Sequence, residues 1–267
     1  MQQTSDTYKR ILASGDYWFE NSVTVGDSGR LVDNDGGLIL FGGDAILVDT
    51  GGPEAGFRED KLISVKSNHE FFADGTPGVG SAVAGYVDVQ MKAPYNVPKK
   101  ARVSLYSRAE NDTEVSEWVP QGVYFIDTRE QTNTGLGYDV LKFQAYDAML
   151  LAEVSYPSDS EHDYPMLDKD MVQFIADNMR IDPNGRGIQV DPRTWEIMTA
   201  GHYFPLPVGY SMREVLCMIA AAYAGNFIIS PVGELLLVSM FDLPPETRHL
   251  ITEDGFTVTF GGLYILI

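Results

Sequence analysis

The sequence holds a single cysteine, Cys217, so no disulfide can form within the chain. Cys217 lies in the apolar run VLCMIAAAY with no Cys/His partner motif beside it, and its expected role is that of a small buried hydrophobe, not a nucleophile. Histidine is almost as scarce. His69, His162, His202 and His249 are all there are, and no two stand two or four residues apart. That spacing excludes the His-x-His-x-Asp-His cluster on which a hydrolytic metal pair is built. No apolar run approaches the roughly 18 residues of a membrane-spanning helix. The opening residues, MQQTSDTYKR, lack the basic-then-apolar order of a secretory signal, so the chain is expected to be made and folded in the cytosol. Basic residues are few: 19 Lys and Arg stand against 38 Asp and Glu, a net charge of −19. Such a chain offers no basic face to nucleic acid, and no stable nucleic-acid binding is expected. A channel lined with carboxylates would instead repel phosphates and let them slide past.

What is present is a foldable, strand-rich chain. Its 267 residues are 44% apolar, enough for one large domain or two ordinary ones. Over the first ~150 residues, short apolar runs alternate with turn chemistry, the spacing of a barrel or sandwich. In KLISVKS, strict alternation sets Leu62 and Ser64 against Ile63 and Val65. In YVDVQM, Val87, Val89 and Met91 share one face. ARVSLYSR, VYFIDTRE and YDVLKFQAY continue the pattern. At Asp147 the period changes, and this residue is a plausible N-cap for a short helix AMLLAE. After the polar stretch SYPSDSEHDYP a helix is expected from near Asp168, with Met171, Phe174, Ile175 and Met179 on one stripe. Ser211 and Glu214 form a capping box ahead of a second helix. Gly225 suits the left-handed position past its end, and NFIIS and LLLVSM then flank PVGE as a hairpin. The chain stops within the strand-like FTVTFGGLYILI, so the polypeptide or a partner strand is expected to continue beyond Ile267.

Chemistry-bearing motifs are absent or bland. GGDAILVDTGG (42–52) resembles an early strand of the metallo-β-lactamase fold, but the histidines that chemistry needs are missing, leaving a buried strand that ends in a turn. GVGSAVAG (78–85) contains Gly-x-Gly, yet the residues after it alternate as a strand where a dinucleotide site needs a helix. Those glycines are expected to permit a bulge or a tight approach between subunits. Glu161, His162 and Asp163 form the densest acid/His cluster, in a polar loop where such residues are simply solvated. No nucleophile elbow and no Walker lysine motif occurs.

Two stretches carry a resemblance. SEWVPQGVYFIDTRE (116–130), followed by LKFQAYDAMLLAE (141–153), resembles the hub proteins of phage tail tips. In that family a Trp-x-Pro-x-Gly strand leads into Tyr-x-Ile-Asp-Thr, and a second strand runs into a short helix opening Tyr-Asp-Ala-Met. MREVLCMIAAAYAGNFIISPVGELLLV (212–238) is similar to the family's helix-plus-hairpin segment, and KLISVKSNHEFF and AVAGYVDVQM to its first barrel. The resemblance covers roughly residues 55–240. It implies an α+β, β-rich fold: a tail-tube-like β-barrel domain with an inserted or following small α+β module. The expected divisions are a barrel-like domain over 1–155, an α+β module of helices and a hairpin over 156–245, and the start of a further β region over 246–267.

The function implied is structural, that of a tail-tip or baseplate hub in a bacteriophage, prophage or phage-like tail. The chain would form a homotrimer whose ring joins the tail tube to the distal tip and surrounds the channel for DNA or the tape measure protein. Expected partners are distal tail or tail-tube proteins, the tape measure protein and tip or spike proteins. No catalytic, cofactor-binding or metal-binding residue is expected, no cofactor, and no membrane span. The alternatives are a tail-associated cell-wall hydrolase fragment, or a peripheral carbohydrate-binding module, which would expose clustered aromatics in a groove; Trp18, Trp118 and Trp195 are widely separated in sequence and do not decide the point.

Overall fold

A computed structural model describes residues 4–26, 40–41, 44–45, 52–72, 77–93, 100–133, 139–157, 162–181, 186–240, 259–260 and 263–264. Helix α1 (Asp6–Ser14) is capped by Ser5, whose hydroxyl accepts from the Tyr8 amide. Strand β1 (Trp18–Gly26) follows, then a two-residue pair, β2 (Leu40–Phe41) and β3 (Asp44–Ala45). Next come β4 (Leu62–Asn68), β5 (Tyr86–Ala93), β6 (Arg102–Glu110), β7 (Val119–Asn133) and β8 (Asp139–Tyr146). The expected strands in LILF and AILVD lie largely outside the described residues.

Six strands form one antiparallel sheet in the order β1-β6-β7-β8-β5-β4. Alternation decides its inner face: Val87, Val89 and Met91 of β5 meet Val103 and Leu105 of β6, Tyr124 and Ile126 of β7, and Leu141, Phe143 and Ala145 of β8. Val23 of the edge strand β1 belongs to the same core, and Leu62 and Val65 of the opposite edge β4 pack against it. Both edges can meet one core only if the sheet curls. Bulges at Leu105/Tyr106, Ile126/Thr128 and Leu62/Ser64 supply bend and twist. The result is a half-barrel. Phe57 covers the outer side of β1 by exchanging two backbone hydrogen bonds with Val23, at 2.9 and 2.8 Å. Among the described residues β1 and β4 do not pair.

The bulge in β4 corrects the alternation expected there. Leu62 and Val65 both face the core because one residue is added between them, and Ile63 is left 45% exposed.

The second core is α-rich. A short 3-10 turn (Ala148–Glu153) leaves β8, and Asp147 caps it as expected. Then come β9 (Met166–Leu167), α2 (Asp168–Asn178), α3 (Pro192–Ile197), β10 (Tyr203–Phe204), α4 (Met212–Ala222), β11 (Gly225–Ile229) and β12 (Leu235–Ser239). Met171, Ile175 and Met179 are buried on one stripe, as expected, against Met212, Leu216 and Ile219 of α4 and Phe227 and Leu237 of the hairpin. A last two-residue pair, β13 (Thr259–Phe260) and β14 (Leu263–Tyr264), is described, but the chain end at Ile267 is not among the described residues. The fold class is α+β and strand-rich.

The capping box is present in full: the Ser211 hydroxyl accepts from the Glu214 amide while the Glu214 carboxylate accepts from the Ser211 amide. Changing Ser211 to Ala should therefore destabilise the fold by about 0.5–2 kcal/mol. An unchanged urea midpoint would show that the box adds nothing to α4.

Gly225 plays a different part from the one expected. Ala224 takes the left-handed turn, at φ 48°, while Gly225 opens β11. Glycine is needed there because a Cβ would lie 2.6 Å from the Val238 carbonyl oxygen across the hairpin.

Candidate functional site

The residues that lead the chain from one core to the other form the most elaborate polar cluster. Tyr86 of β5 and Tyr146 of β8 are the last pair of their ladder. The next two residues, Gly85 and Asp147, continue it: the Asp147 amide donates to the Gly85 carbonyl at 2.9 Å. The Asp147 carboxylate then takes two more donors, the Gly85 amide at 2.7 Å and the Met149 amide at 2.9 Å. One side chain thus ties the entry to β5 to the exit from β8. A side chain at position 85 has no room, because a Cβ would lie 2.9 Å from both Asp147 Oδ2 and His69 Nδ1. Beside them Tyr124 and His69 share a 2.6 Å bond between the hydroxyl and Nε2. Withdrawal from water lowers the His69 pKa, against a backbone hydrogen bond to Gln121 that raises it. Burial pushes the Tyr124 hydroxyl well up, aided by the nearby Asp147. Burial raises the Asp147 carboxyl from 3.8 to about 7 against the pull of its two amide donors.

A second network sits at the start of α2. Asp168 is fully buried and accepts from the Lys169 amide, the His202 amide at 2.8 Å and the Tyr223 hydroxyl at 2.5 Å. Burial, with this bond second, raises the Tyr223 hydroxyl to about 12. Every acceptor is directed at a neighbouring loop or helix. The arrangement fastens β9, β10 and α4 together.

The outer surface exposes aromatic side chains. At the start of β1, Tyr17, Trp18 and Phe19 are 40, 45 and 45% exposed, and the Tyr17 and Phe19 rings meet edge-on at 5.4 Å. Next to them Arg108 pairs with Glu20 at 2.5 Å and Glu110 at 2.7 Å and stacks over Trp118, its guanidinium 4.4 Å from the ring centre. Trp118 in turn donates to Glu54 at 2.7 Å, which holds the 3-10 turn Gly52–Ala55 against β1. Partial burial, with Glu110 close by, raises the Glu20 carboxyl despite Arg108. At the other edge, β4 has only β5 as a strand partner among the described residues.

The residues singled out in sequence are scattered. His162 and Asp163 are exposed, and the His162 ring lies 5.1 Å from that of Phe174; Glu161 is outside the described residues. Cys217 is half-buried, and burial pushes its thiol pKa up, away from a reactive thiolate. The 80–84 segment makes its tight approach within the chain: Gly80 donates to the Gly225 carbonyl at 2.8 Å and Ala82 bridges Phe227. No three His, Cys, Asp or Glu side chains among the described residues gather to hold a metal. No helix among them is long and apolar enough to cross a membrane. His69, Tyr124 and Asn226 carry no sequence signal, and Asp147 shows only its cap, since its second partner is 62 residues away.

No family model and no curated protein matches this chain. Among solved structures it is similar to the 43 kDa tail protein of prophage MuSo2 from Shewanella oneidensis, with TM-score 0.44 and 11% identity over 89% of this chain and 58% of that one. It is also similar to the tail protein from Neisseria meningitidis MC58, with TM-score 0.43 and 13% identity over 85% of this chain and 53% of that one. The chain therefore spans little more than half the length of each.

Proposed function

We propose that this chain is a structural hub protein of a bacteriophage or phage-like tail tip. Three copies form a ring that joins the tail tube to the distal tip and encloses the channel for DNA or the tape measure protein. The observation that carries this reading is one continuous unit. The stretch 116–153, which resembles the tail-tip hub family, folds in the order that family's pattern implies. Its Trp-x-Pro-x-Gly segment enters β7, β8 returns beside it, and the Tyr-Asp-Ala-Met segment opens a short helical turn capped by Asp147. An open half-barrel whose edge strand β4 has only β5 as a strand partner among the described residues suits the task, because a strand edge is a ready template for a neighbouring subunit. The polar groups that are buried fasten loops together, which is the economy of a building block and not of an enzyme.

The exposed aromatics favour a second reading, a peripheral carbohydrate-binding module. Tyr17, Trp18 and Phe19 are consecutive around the start of a strand, so Trp18 turns away from the face that Tyr17 and Phe19 share. They do not form the single stacking platform that a sugar ring needs, and the hub reading stands ahead. Imaging the assembled tail tests it: the hub lies on the axis, the adhesin-like module on the periphery.

A further inference from the structure

Among the described residues the chain passes three times between the half-barrel and the second core, and the three crossings meet at one place. The first is at His69, where β4 has just ended and the Phe71 carbonyl already accepts from Asn226 of the hairpin. The second is at Gly85: Ala82 belongs to the second core and Val87 to the half-barrel. The third is at Asp147, between Ala145 of the half-barrel and Ala148 of the second core. The point where a side chain on residue 85 would begin lies 2.9 Å from Asp147 Oδ2, 2.9 Å from His69 Nδ1 and 3.2 Å from the Asn68 carbonyl oxygen. A few element-terminal residues that can turn together are what a hinge is made of. Here one carboxylate fastens two of the crossings, through the Gly85 and Met149 amides.

The fastening carries a condition. Asp147 is 4% exposed, and among the described residues no cation pairs with its carboxylate. A carboxylate without a counter-charge is costly away from water; it is relieved by taking up a proton or by letting water in. The groups that face it are the Gly85 amide before β5, the Met149 amide of the 3-10 turn, the Tyr124 hydroxyl on β7 and the His69 ring after β4. Burial pushes Tyr124 and His69 toward their uncharged forms, so neither offsets a charge on Asp147. A neutral carboxyl keeps enough acceptor capacity for both amides. We propose that this junction is a proton-operated hinge: with Asp147 protonated the crossings are held together, and with Asp147 ionised water enters and the junction between the two cores opens. Phe125 of β7, which packs against the second core, is the contact that the open form uncovers. The hinge is a property of the single chain and does not depend on the ring.

The sign follows from the burial. The closed junction holds the Asp147 proton up to about pH 7, whereas a hydrated carboxyl loses it near 3.8. Opening should become about tenfold easier per pH unit between about 4 and 7 and level off above. His69 acts in the opposite sense: the closed form resists the charged ring, so acid below 6.5 also favours opening.

Hydrogen exchange on the full chain from pH 4 to 8, corrected for the intrinsic rate, tests this. Relative to Asp147→Asn, which cancels the His69 contribution, the Gly85 and Met149 amides of the wild type should lose protection by about tenfold per pH unit between about 5 and 7. Both should stay less protected than the Leu141 and Ile219 amides inside the two cores. His69→Gln keeps Asp147 and removes the other group of the cluster that titrates in this range; it should show the same fall by itself, and it decides the matter if Asp147→Asn does not fold. Junction amides protected as strongly as Leu141 and Ile219 at every pH would mean that the junction opens only when the whole chain unfolds, and would overturn the hinge. Protection that does not change with pH in His69→Gln, or a fall that persists in Asp147→Asn, would overturn Asp147 as its switch.

Discussion

Raising the pH from about 4 to about 8 should destabilise the wild-type protein by roughly 4 kcal/mol more than it destabilises Asp147→Asn. The cause is the buried carboxyl at the junction of the two cores, whose pKa is raised from 3.8 to about 7 by loss of water. A raised folded-state pKa means that the folded chain holds the proton more tightly than the unfolded one. The stabilisation is therefore fully present below about pH 3.8 and is lost as the pH climbs through about 7. Other carboxyls act in the opposite sense. The Asp191 pKa is lowered by its bonds to Arg193, and that of Glu214 by the Ser211 amide, so each adds stability as the pH rises. Comparison with Asp147→Asn cancels those contributions. Asparagine keeps one oxygen for the Met149 amide but sets a donor against the Gly85 amide, a loss that does not vary with pH. Chemical denaturation of both proteins across this range is the measurement. Parallel profiles would show that Asp147 titrates normally and that its site admits water.

Asn226→Ala should cost roughly 3 kcal/mol, because three hydrogen bonds made by one fully buried side chain are lost together. Asn226 is fully buried at the start of the hairpin. Its Oδ1 accepts from the Ser81 amide at 2.9 Å, and its Nδ2 donates to the Phe71 carbonyl at 3.2 Å and the Gly78 carbonyl at 2.9 Å. Next to it the Phe227 amide donates to the Ser81 carbonyl at 2.9 Å. The segment before β5 is thereby stitched to the second core. Asn226→Asp is close to isosteric, yet it should be at least as damaging, since it removes both donors and adds a buried charge. Urea unfolding gives the energies, and hydrogen exchange at the Ser81 amide gives the local opening. A loss below about 1 kcal/mol would mean that water replaces the side chain at all three groups.

These two residues also mark where sequence reading stops. Strands β5 to β8 were legible because a sheet with one buried face must alternate, as Val87, Val89 and Met91 do. Helix α4 was legible because its cap is local: Ser211 and Glu214 announce it three residues apart. Asp147 showed its cap for the same reason. Its bond to Gly85 and the three bonds of Asn226 join residues far apart in the chain, and no local pattern encodes them. The β4 bulge escaped because Leu, Ile and Val at positions 62, 63 and 65 fit an unbroken strand equally well.

The central claim concerns place: three copies of this chain around the axis of a tail tip. Electron cryo-microscopy of the assembled tail tests it most directly. The account predicts a threefold ring at the tail's distal end, with the half-barrels side by side around a channel and acidic side chains turned toward the lumen, where they repel DNA phosphates. Copies found on the tail's periphery, away from the axis, would contradict the account and favour the adhesin-like module.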